Sequence, residues 1–487
     1  MQKIKKIIVV GADEIALLVA ATLSFNLRHV EIVLVDSKNK STGALVESSM
    51  ENVGAFFSLA GIDIKHFVAN TGATLKLGNQ FHNWAGAGHQ FTHCFGDYGV
   101  AFGGVEFHQT IIRLMKEGAY KNIADYSLVA EAVKSGKGLP LLYRAEEGLP
   151  QVAVGLHFAI PAFVQYLVSH LQRLGVKRIA EGIVNVNLAD DGRIASLVTD
   201  SGQEITADFY VDCSGSSSQL LGEAMGVDYI GWQDVLRVNR KLCAVESATT
   251  AINSLADITA TDKGWLKRTR LRDFTVAELF YHSDDYTDKQ AQAEIELHLC
   301  GKQVNYFKST QIIPGKRARF WEKNCLAIGE SAVSAAQFSH SPLFMAQAAV
   351  TRFLDYFPAN EPVPELIDEY NRIAHSETDR IYDYHCLHYW LLDNAHPLAI
   401  KEEKLLTPEL RHKLDVFRAS GRLVKYESDN VESSQWQSLL LGMNVWPERY
   451  DPIIGNLSSA QLHQTSELLI ERIRQVVSAL PPQEYIL

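Results

Sequence analysis

The first 36 residues constrain the fold most, because they have the pattern of a strand, a tight turn, a helix and a second strand. An apolar run at residues 7–10 ends at Gly11, apolar residues follow at helical spacing, and residues 30–35 form a second apolar run that ends at Asp36. This is the pattern of a parallel β-α-β unit, and an acid 25 positions after the glycine suits a ribose hydroxyl. The sequence therefore predicts an α/β fold with a Rossmann-like domain.

The turn of this unit departs from the usual glycine-rich pattern for binding a dinucleotide. It reads Gly11-Ala12-Asp13-Glu14-Ile15-Ala16, so Asp13 stands where the backbone would approach a pyrophosphate. A carboxylate about 4–5 Å from a phosphate costs roughly 3–4 kcal/mol at an effective dielectric near 20. Two interpretations remain open: the turn still holds a dinucleotide, or Asp13 only caps the helix and no anion binds there.

A single lysine stands out in residues 70–84, where apolar and small residues alternate as in a strand. Lys76 lies between Leu75 and Leu77, with Gly72 and Gly78 on either side. Such a lysine either points to solvent or points into a cavity, where desolvation would lower its pKa and leave a reactive amine. The stretch alone does not decide between the two.

Composition excludes several classes of function. The chain has 487 residues, a net charge of -11 and no long basic run, which argues against nucleic acid and anionic membranes as partners. No stretch approaches the roughly 20 apolar residues of a membrane helix, and the N-terminus lacks the pattern of a signal peptide. The six cysteines are scattered without paired spacing. We therefore expect a cytoplasmic protein with reduced cysteines and no metal site.

The order of patterns divides the chain into three regions. Residues 1–227 and 320–360 are predicted to form the discontinuous Rossmann-like core, with substrate-region elements near 70–130. Residues 228–319 are predicted to form a β-rich insertion, and residues 361–487 a helical C-terminal region. The turn Asp190-Asp191-Gly192 between two alternating segments predicts a β-hairpin.

Several ordered motifs, over roughly residues 5–455, resemble the flavin-dependent tryptophan halogenase family, a branch of the flavoprotein monooxygenases. The resemblance implies an FAD-binding domain of the monooxygenase type. The residues that carry it are 71–78 with Phe81 and Trp84, 156–158, 211–215, 325–329, the group Asp383, Leu387, His388 and Tyr389, and the group Trp436, Gly442, Met443, Pro447, Tyr450, Asp451 and Pro452.

The resemblance implies a mechanism and a set of site residues. In that family reduced FAD, oxygen and halide give hypohalous acid, and a lysine passes the halogen to an aromatic carbon. Lys76 takes the lysine position, and His93, Phe95 and Trp436 fall where the family holds its aromatic substrate. A separate flavin reductase and a homodimer are also implied. The implied cofactor contacts are Gly11, Ala12, Asp13, Asp36, Ser37, Gly43, Glu47, Val184, Gly215, Gly329 and Glu330.

The departures from the family pattern fall on working positions. Ser339 stands at the position of the family's catalytic glutamate, and a serine hydroxyl is no general base near neutral pH without activation. His340 is the candidate to replace that base. Pro342 falls where the family offers a backbone N–H to halide, and proline has none. Of the Trp-x-Trp-x-Ile-Pro signature only Trp265 remains.

Three hypotheses follow for the function. The first is an FAD-dependent halogenase or monooxygenase that acts on an indole or other aromatic group, in a small molecule or as a side chain of a larger substrate. Its halide and glutamate sites would be degraded, which makes halogenation itself doubtful. The second is a non-catalytic relative with weak or no FAD binding that holds an aromatic ligand or a protein partner. The third is a flavin oxidase or oxygenase without halide use.

Overall fold

The computed structural model describes residues 3–36, 44–102, 104–119, 121–247, 253–299, 304–307, 309–335, 338, 340–358 and 360–483. The strands are β1 (Lys6–Val10), β2 (Glu31–Val35), β3 (Val46–Ser48), β4 (Thr74–Lys76), β5 (Gly78–His82), β6 (Gln90–Cys94), β7 (Gly155–Ala159), β8 (Lys177–Ile179), β9 (Ile183–Leu188), β10 (Ile194–Thr199), β11 (Glu204–Ile205), β12 (Phe209–Asp212), β13 (Tyr229–Gly231), β14 (Arg240–Ser247), β15 (Leu255–Ala260), β16 (Gly264–Arg270), β17 (Phe274–Tyr281), β18 (Val304–Tyr306), β19 (Thr310–Gln311), β20 (Gly315–Arg317), β21 (Trp321–Glu322), β22 (Cys325–Ala327) and β23 (Val333–Ser334). The helices are α1 (Glu14–Asn26), α2 (Val53–Leu59), α3 (Ile64–Thr71), α4 (His108–Lys116), α5 (Leu128–Lys134), α6 (Ile160–Leu174), α7 (Asp288–Glu296), α8 (Pro342–Asp355), α9 (Pro364–Leu391), α10 (Pro408–Ser420), α11 (Ser433–Gly442) and α12 (Ser459–Ser478).

A mainly parallel sheet forms the first layer of the core, as the β-α-β pattern predicts. Its strand order is β21-β22-β12-β1-β2-β8, and β1 pairs in parallel with both β12 and β2. Four of the five residues of β1 and of β2 are buried, because helices cover both faces of a parallel sheet. The mixed α/β class and the Rossmann-like core are therefore confirmed.

The turn between β1 and α1 is tight for a steric reason. A Cβ added at Gly11 would lie 2.4 Å from the carbonyl oxygen of Cys213, so the glycine lets β1 and the turn after β12 approach each other. Asp13 is the N-cap of α1, and its Oδ1 accepts a hydrogen bond from the backbone N–H of Ala16 at 2.9 Å. Helix capping by Asp13, one of the two interpretations of this turn, is therefore observed.

A second, mostly antiparallel sheet faces the first across a cleft. Its order is β18-β14-β17-β16-β15-β5-β6, with β19 beside β14. Strand β5 pairs in parallel with β15, so residues 78–94 extend the sheet built by the β-rich region. The predicted hairpin is also present, as the antiparallel pair β9 and β10.

A small third sheet, β3-β7-β4, lies beside the cleft. Ser48 and Thr74 both pair with His157 on the central strand, from opposite sides. Lys76 pairs with Gly155, which places the lysine at the inner end of β4. Through this small sheet, residues that are far apart in sequence meet next to the cleft.

Helices form most of the last third of the chain, as predicted. The 28-residue helix α9 carries a buried aromatic and histidine face that packs against the second sheet. Among the described residues, no helix is both long and apolar enough to cross a membrane. The cysteines at 94, 213, 243, 325 and 386 are buried and free, and the sixth, Cys300, lies outside the described residues.

Asp212, at the end of β12, organises the turns at the carboxyl edge of the parallel sheet. The side chain is fully buried and is surrounded by hydrogen-bond donors from the two turns that follow β12 and β22. Its oxygens accept hydrogen bonds from the backbone N–H groups of Ser214, Leu220 and Leu221 and from the hydroxyls of Ser214, Ser218 and Ser331.

We predict that Asp212→Asn destabilises the protein measurably. The new amide would point an N–H₂ donor at groups that already donate, and each unsatisfied buried polar group costs about 1–3 kcal/mol. The urea midpoint of unfolding should fall clearly below that of the wild type. The control is Asp191→Asn, in an exposed hairpin turn. Equal midpoints for the two variants would contradict the organising role of Asp212.

Candidate active site

A large cleft lies at the carboxyl edge of the parallel sheet, between this sheet and the second one. Its empty volume is about 1130 Å³, including the open mouth. In open α/β sheets this edge is where ligands bind. The cleft is lined by Glu14, Ala44, Val46, Glu47, Ser48, Ser216, Lys241, Lys267, Glu278, Phe280, Thr310, Gln311, Ile312, Glu330, Ser334, Ala335, Ser341 and Pro342.

Three acids cluster where the turns after β1 and β22 meet at one end of the cleft. Burial raises the pKa of Asp13 to about 6 and the pKa of Glu14 to about 8, and the charge of Glu330 adds to both shifts. Burial also raises the pKa of Glu330, while the charge of Lys241 opposes the shift. Near neutral pH the Glu14 carboxyl group is therefore mostly protonated, and this end of the cleft is less negative than the sequence implies.

The opposite wall of the cleft carries two lysines on the second sheet. Burial lowers the pKa of Lys241, but Glu278, whose Oε1 lies 3.4 Å from the Lys241 Nζ, more than offsets it and the pKa rises. Lys267 is buried two residues after Trp265, at the position of the missing second tryptophan of the signature. Trp265 itself stacks on Phe280, with ring centroids 4.0 Å apart, and so forms part of the wall behind the cleft.

Lys76 is completely buried, with a relative exposure of 0%, so the solvent-facing interpretation of its strand is wrong. Its Nζ donates a hydrogen bond to the carbonyl oxygen of Ser48 at 3.0 Å, and Ser48 lines the cleft. On the other side, the Nζ lies 5.2 Å from the centroid of the Phe95 ring. Burial lowers the pKa of Lys76 well below its ordinary value, and the charge of Lys267 lowers it further. The side chain therefore favours the neutral amine.

An aromatic and histidine cluster lies beyond Lys76, on the side away from the cleft. His93 and Phe95 meet edge to face with centroids 6.2 Å apart, so the predicted shared face exists. Burial lowers the pKa of His93 and of His340 to about 3, and the charges of His388 and Lys76 add to both shifts. These imidazoles are neutral, which makes His340 a weak base.

Trp436, the third predicted substrate contact, is buried at the edge of the same cluster. Its ring meets Tyr384 edge to face at 5.1 Å, and the Nζ of Lys413 lies 4.1 Å from its centroid. Tyr384 in turn contacts His340, at 5.5 Å between ring centroids. Ring contacts therefore join Trp436 to His340, and the charges of His340 and His388 act on His93.

The predicted cofactor residues fall into several groups. Asp36 is buried and already accepts two hydrogen bonds from Arg178, at 2.9 and 3.0 Å. Val184 lies on β9 with 47% exposure and is absent from the cleft lining. Glu47 and Glu330 line the cleft, and Asp13, Gly215 and Gly329 are each next in sequence to a residue that lines it. Gly11 and Ala12 precede Asp13 in the turn after β1. Ser37, Gly43 and Ser339 lie outside the described residues.

Two buried charged residues of this region have no signal in the sequence. Lys267 lies on a strand with alternating residues, where a lysine usually faces solvent. Glu51 lies in the turn after β3, close to two serines, and the α11 residue that bonds to it, Gln435, stands 384 positions later in the chain. Within the described residues, no group of three or more His, Cys, Asp or Glu side chains is arranged to hold a metal ion.

We predict that Glu14→Gln stabilises the protein in alkaline solution. A buried carboxyl group with a raised pKa contributes stability below its unfolded-state pKa and loses it as the pH rises toward the folded value, here about 8. The melting temperature of the variant should therefore exceed that of the wild type near pH 8, and the difference should shrink toward pH 5. Glu31→Gln, at an exposed strand end, is the control. A difference independent of pH would contradict the prediction.

Comparison with known sequences gives consistent matches over almost the whole chain. Residues 6–459 match the family model for tryptophan halogenases. The chain is 24% identical to the tryptophan 6-halogenase SttH of Streptomyces toxytricini, over 98% of this chain and 97% of that protein. It is 22% identical to the tryptophan 7-halogenase RebH of Lentzea aerocolonigenes, with the same coverage.

Comparison with solved structures extends the match to the fold. BrvH, a flavin-dependent halogenase from Brevundimonas sp. BAL3, superposes with a TM-score of 0.90 at 26% identity, covering 99% of this chain and 98% of that one. A flavin-dependent halogenase from Xanthomonas campestris superposes with a TM-score of 0.92 at 27% identity, covering 99% and 97%. With its cleft, its buried lysine and a family match over nearly its full length, the chain belongs to the tryptophan halogenase family.

Proposed function

We propose that the protein is an FAD-dependent enzyme that transfers a halogen to an indole or another aromatic ring, with Lys76 as the amine that carries the halogen. The observation that carries this proposal is the position of Lys76: fully buried, bonded to a cleft residue on one side and facing the Phe95 ring on the other. A neutral amine between a cofactor cleft and an aromatic cluster suits the transfer of an electrophilic atom.

The residues of the cleft fit FAD. Gly215 and Gly329 have φ values of +79° and +72°, which glycine adopts without strain and which keep both turns free of side chains beside the cleft. Glu47 Oε1 and Ser48 Oγ are buried beside the cleft without a hydrogen-bond partner among the described residues, as expected where a ligand completes the site. The turns at Gly11–Glu14 and Gly329–Glu330 would hold the phosphates, and Asp36 a ribose hydroxyl.

Bound reduced FAD, together with oxygen and halide, supplies the hypohalous acid for this reaction. A separate flavin reductase would return the FAD to its reduced state. The neutral Lys76 amine attacks the halogen of that acid: an N–X bond forms, the O–X bond breaks, and water leaves with a proton from the nitrogen. The hydrogen bond to the Ser48 carbonyl holds the amine in place during this step. The ring then takes the halogen from nitrogen.

Two features support the alternative functions. The acids Asp13, Glu14 and Glu330 oppose phosphate binding when ionised, which supports a non-catalytic relative with an empty cleft. At the start of α8, Pro342 offers no N–H, and the Ser341 hydroxyl accepts a hydrogen bond from the Phe344 N–H at 3.3 Å. The missing N–H at Pro342 supports a flavin oxidase or oxygenase that uses no halide.

We predict that Lys76→Met abolishes halogen transfer and leaves FAD binding intact. Methionine fills a similar volume but provides no amine to accept the halogen. Product mass after incubation with indole or tryptophan, bromide and a flavin-reducing system measures the transfer, and FAD fluorescence measures binding. Lys316→Met is the matched control, because Lys316 is also a buried lysine but pairs with Asp379 away from the cleft. Halogenation that survives in Lys76→Met would contradict the proposed role.

Cofactor affinity should depend on the charge of Asp13. Asparagine is an equally good N-cap, so Asp13→Asn removes the charge and keeps the helix. We expect about a tenfold lower Kd for FAD above pH 7, equivalent to about 1.4 kcal/mol, and little change below pH 6, where Asp13 is already protonated. Asp63→Asn is the control, since Asp63 caps α3 in the same way. Equal effects of the two variants would rule out Asp13 as the obstacle.

A further inference from the structure

Glu51 is a buried carboxyl group on the aromatic side of Lys76. It lies in the turn between β3 and α2, and only 8% of it is exposed. Its Oε2 accepts a hydrogen bond from the backbone N–H of Gly96 at 3.2 Å, and its Oε1 accepts one from the Gln435 side chain at 3.5 Å. Glu51 is therefore held between the end of β6 and helix α11, next to two of the predicted aromatic contacts, Phe95 and Trp436.

Glu51 and Lys76 contact residues that are close to each other in sequence, both near Ser48 and at the end of β6. Lys76 bonds to the carbonyl of Ser48, three residues before Glu51, and faces the ring of Phe95, the residue before Gly96. The charge of Glu51 acts on Lys76, yet in the part of the chain that the structure describes no ion pair within 4 Å joins the two. Lys76 and Glu51 therefore both contact the chain at the end of β6, where Phe95 and Gly96 follow each other.

Two further polar atoms beside Glu51 indicate that a ligand completes this region. Gln435 Oε1 and Trp436 Nε1 are buried and have no hydrogen-bond partner among the described residues. Buried polar atoms are nearly always hydrogen-bonded in folded proteins, to protein, water or ligand. An indole N–H and a polar substituent on the ring are groups that such atoms bind.

We propose that Glu51 is the proton acceptor of the aromatic site, working beside Lys76 where the family's glutamate position falls on Ser339. The inference rests on the proposed function. As the ring carbon takes the halogen, the C–X bond forms and the N–X bond breaks. The Lys76 nitrogen keeps the N–X electron pair and takes a proton from water, which restores the neutral amine and leaves hydroxide, the final acceptor of the proton that the ring loses. The ring carbon must then lose its proton. The Glu51 carboxylate accepts that proton, and the C–H electron pair restores the aromatic system.

The surroundings of Glu51 suit the acceptance of the ring proton better than the surroundings of His340 do. Burial raises the pKa of Glu51 to about 7, the Gly96 N–H opposes the shift, and the charges of Glu432 and Asp97 add to it. Lys76 and Tyr384 are the other titratable groups that face it. A base is most effective when its pKa lies near the working pH. His340, with a pKa of about 3, holds a proton too weakly.

The first test compares Glu51→Gln with the matched control Glu106→Gln. Glu106 accepts a hydrogen bond at 3.3 Å from Gln437, two residues after Gln435 on the same helix. In the wild type and the control, kcat/KM should rise with pH through a midpoint of about 7, the value of the free enzyme, without an isotope effect for ring-deuterated indole. Glu51→Gln should be about a hundredfold slower, lose this pH dependence and show a primary isotope effect, because proton loss becomes slow.

If Glu51→Gln only damaged the structure, its pH profile and isotope effect would differ from those expected for loss of a base. Glu51→Asp retains a carboxyl group and should recover part of the rate together with the pH dependence. A slow Glu51→Gln variant with the wild-type pH profile and no isotope effect would show that Glu51 only supports the fold. That result would overturn the proposal.

The second test needs no cofactor, so its outcome does not depend on halogenation. Indole is titrated into each variant by calorimetry at about pH 7, in two buffers of different ionisation enthalpy, which counts the protons bound. A ring seated against Glu51 removes water from the carboxylate and raises its pKa, so the wild type and Glu106→Gln should take up protons and Glu51→Gln none. Equal proton counts in the wild type and Glu51→Gln, or no indole binding by the wild type, would overturn the inference. A different outcome is a wild type that takes up protons when it binds indole but transfers no halogen. That outcome would overturn the proposed function, while it would show that Glu51 contacts the bound ring.

Discussion

The hydrogen bond from the Lys76 Nζ to the carbonyl of Ser48 is the buried interaction that fixes the position of the proposed catalytic amine. An ammonium group has three donors and a full charge, and burying one without a carboxylate partner is costly. No carboxylate lies within 4 Å of this lysine in the described residues, and Lys267 adds a second positive charge nearby. The fold therefore favours the neutral amine. A protein that used Lys76 only for structure would gain more from an apolar residue there.

The strand arrangement that buries Lys76 also brings it close to the polar residues of the segment that follows β3. Strand β3 leads out of the cleft through Glu47 and Ser48 to Glu51, so a short segment reaches from the cofactor side to the aromatic side. Strand β7 lies between β3 and β4 and sets the distance from Ser48 to Lys76. Asp212 holds the turns at the far wall. Lys76, on β4 of the small sheet, thus contacts Ser48 of the cleft and faces Phe95 of the aromatic cluster.

The sequence was informative where a pattern is local. Periodicity in the first 36 residues is enough to predict the β-α-β unit, and the ordered motifs are enough for the family. Alternation around Lys76 could not distinguish cavity from solvent, since that depends on β7 and on covering residues far along the chain. Glu51 contacts Gln435, 384 positions later, so no local signal exists for it. From the sequence alone, the Asp13 side chain is expected to carry a full negative charge at neutral pH, whereas burial in the structure raises its pKa to about 6.

The ionisation state of Lys76 tests this account most directly. Protein labelled with ¹³C at lysine Cε, compared with Lys76→Met to assign the signal, reports by NMR whether the amine is neutral. We expect the Lys76 signal to titrate well below the ordinary lysine pKa of about 10.4, so that it already has the shift of a neutral amine at about pH 10. A Lys76 signal that stays in the ammonium position up to about pH 10 would contradict the claim that the fold holds a reactive amine there.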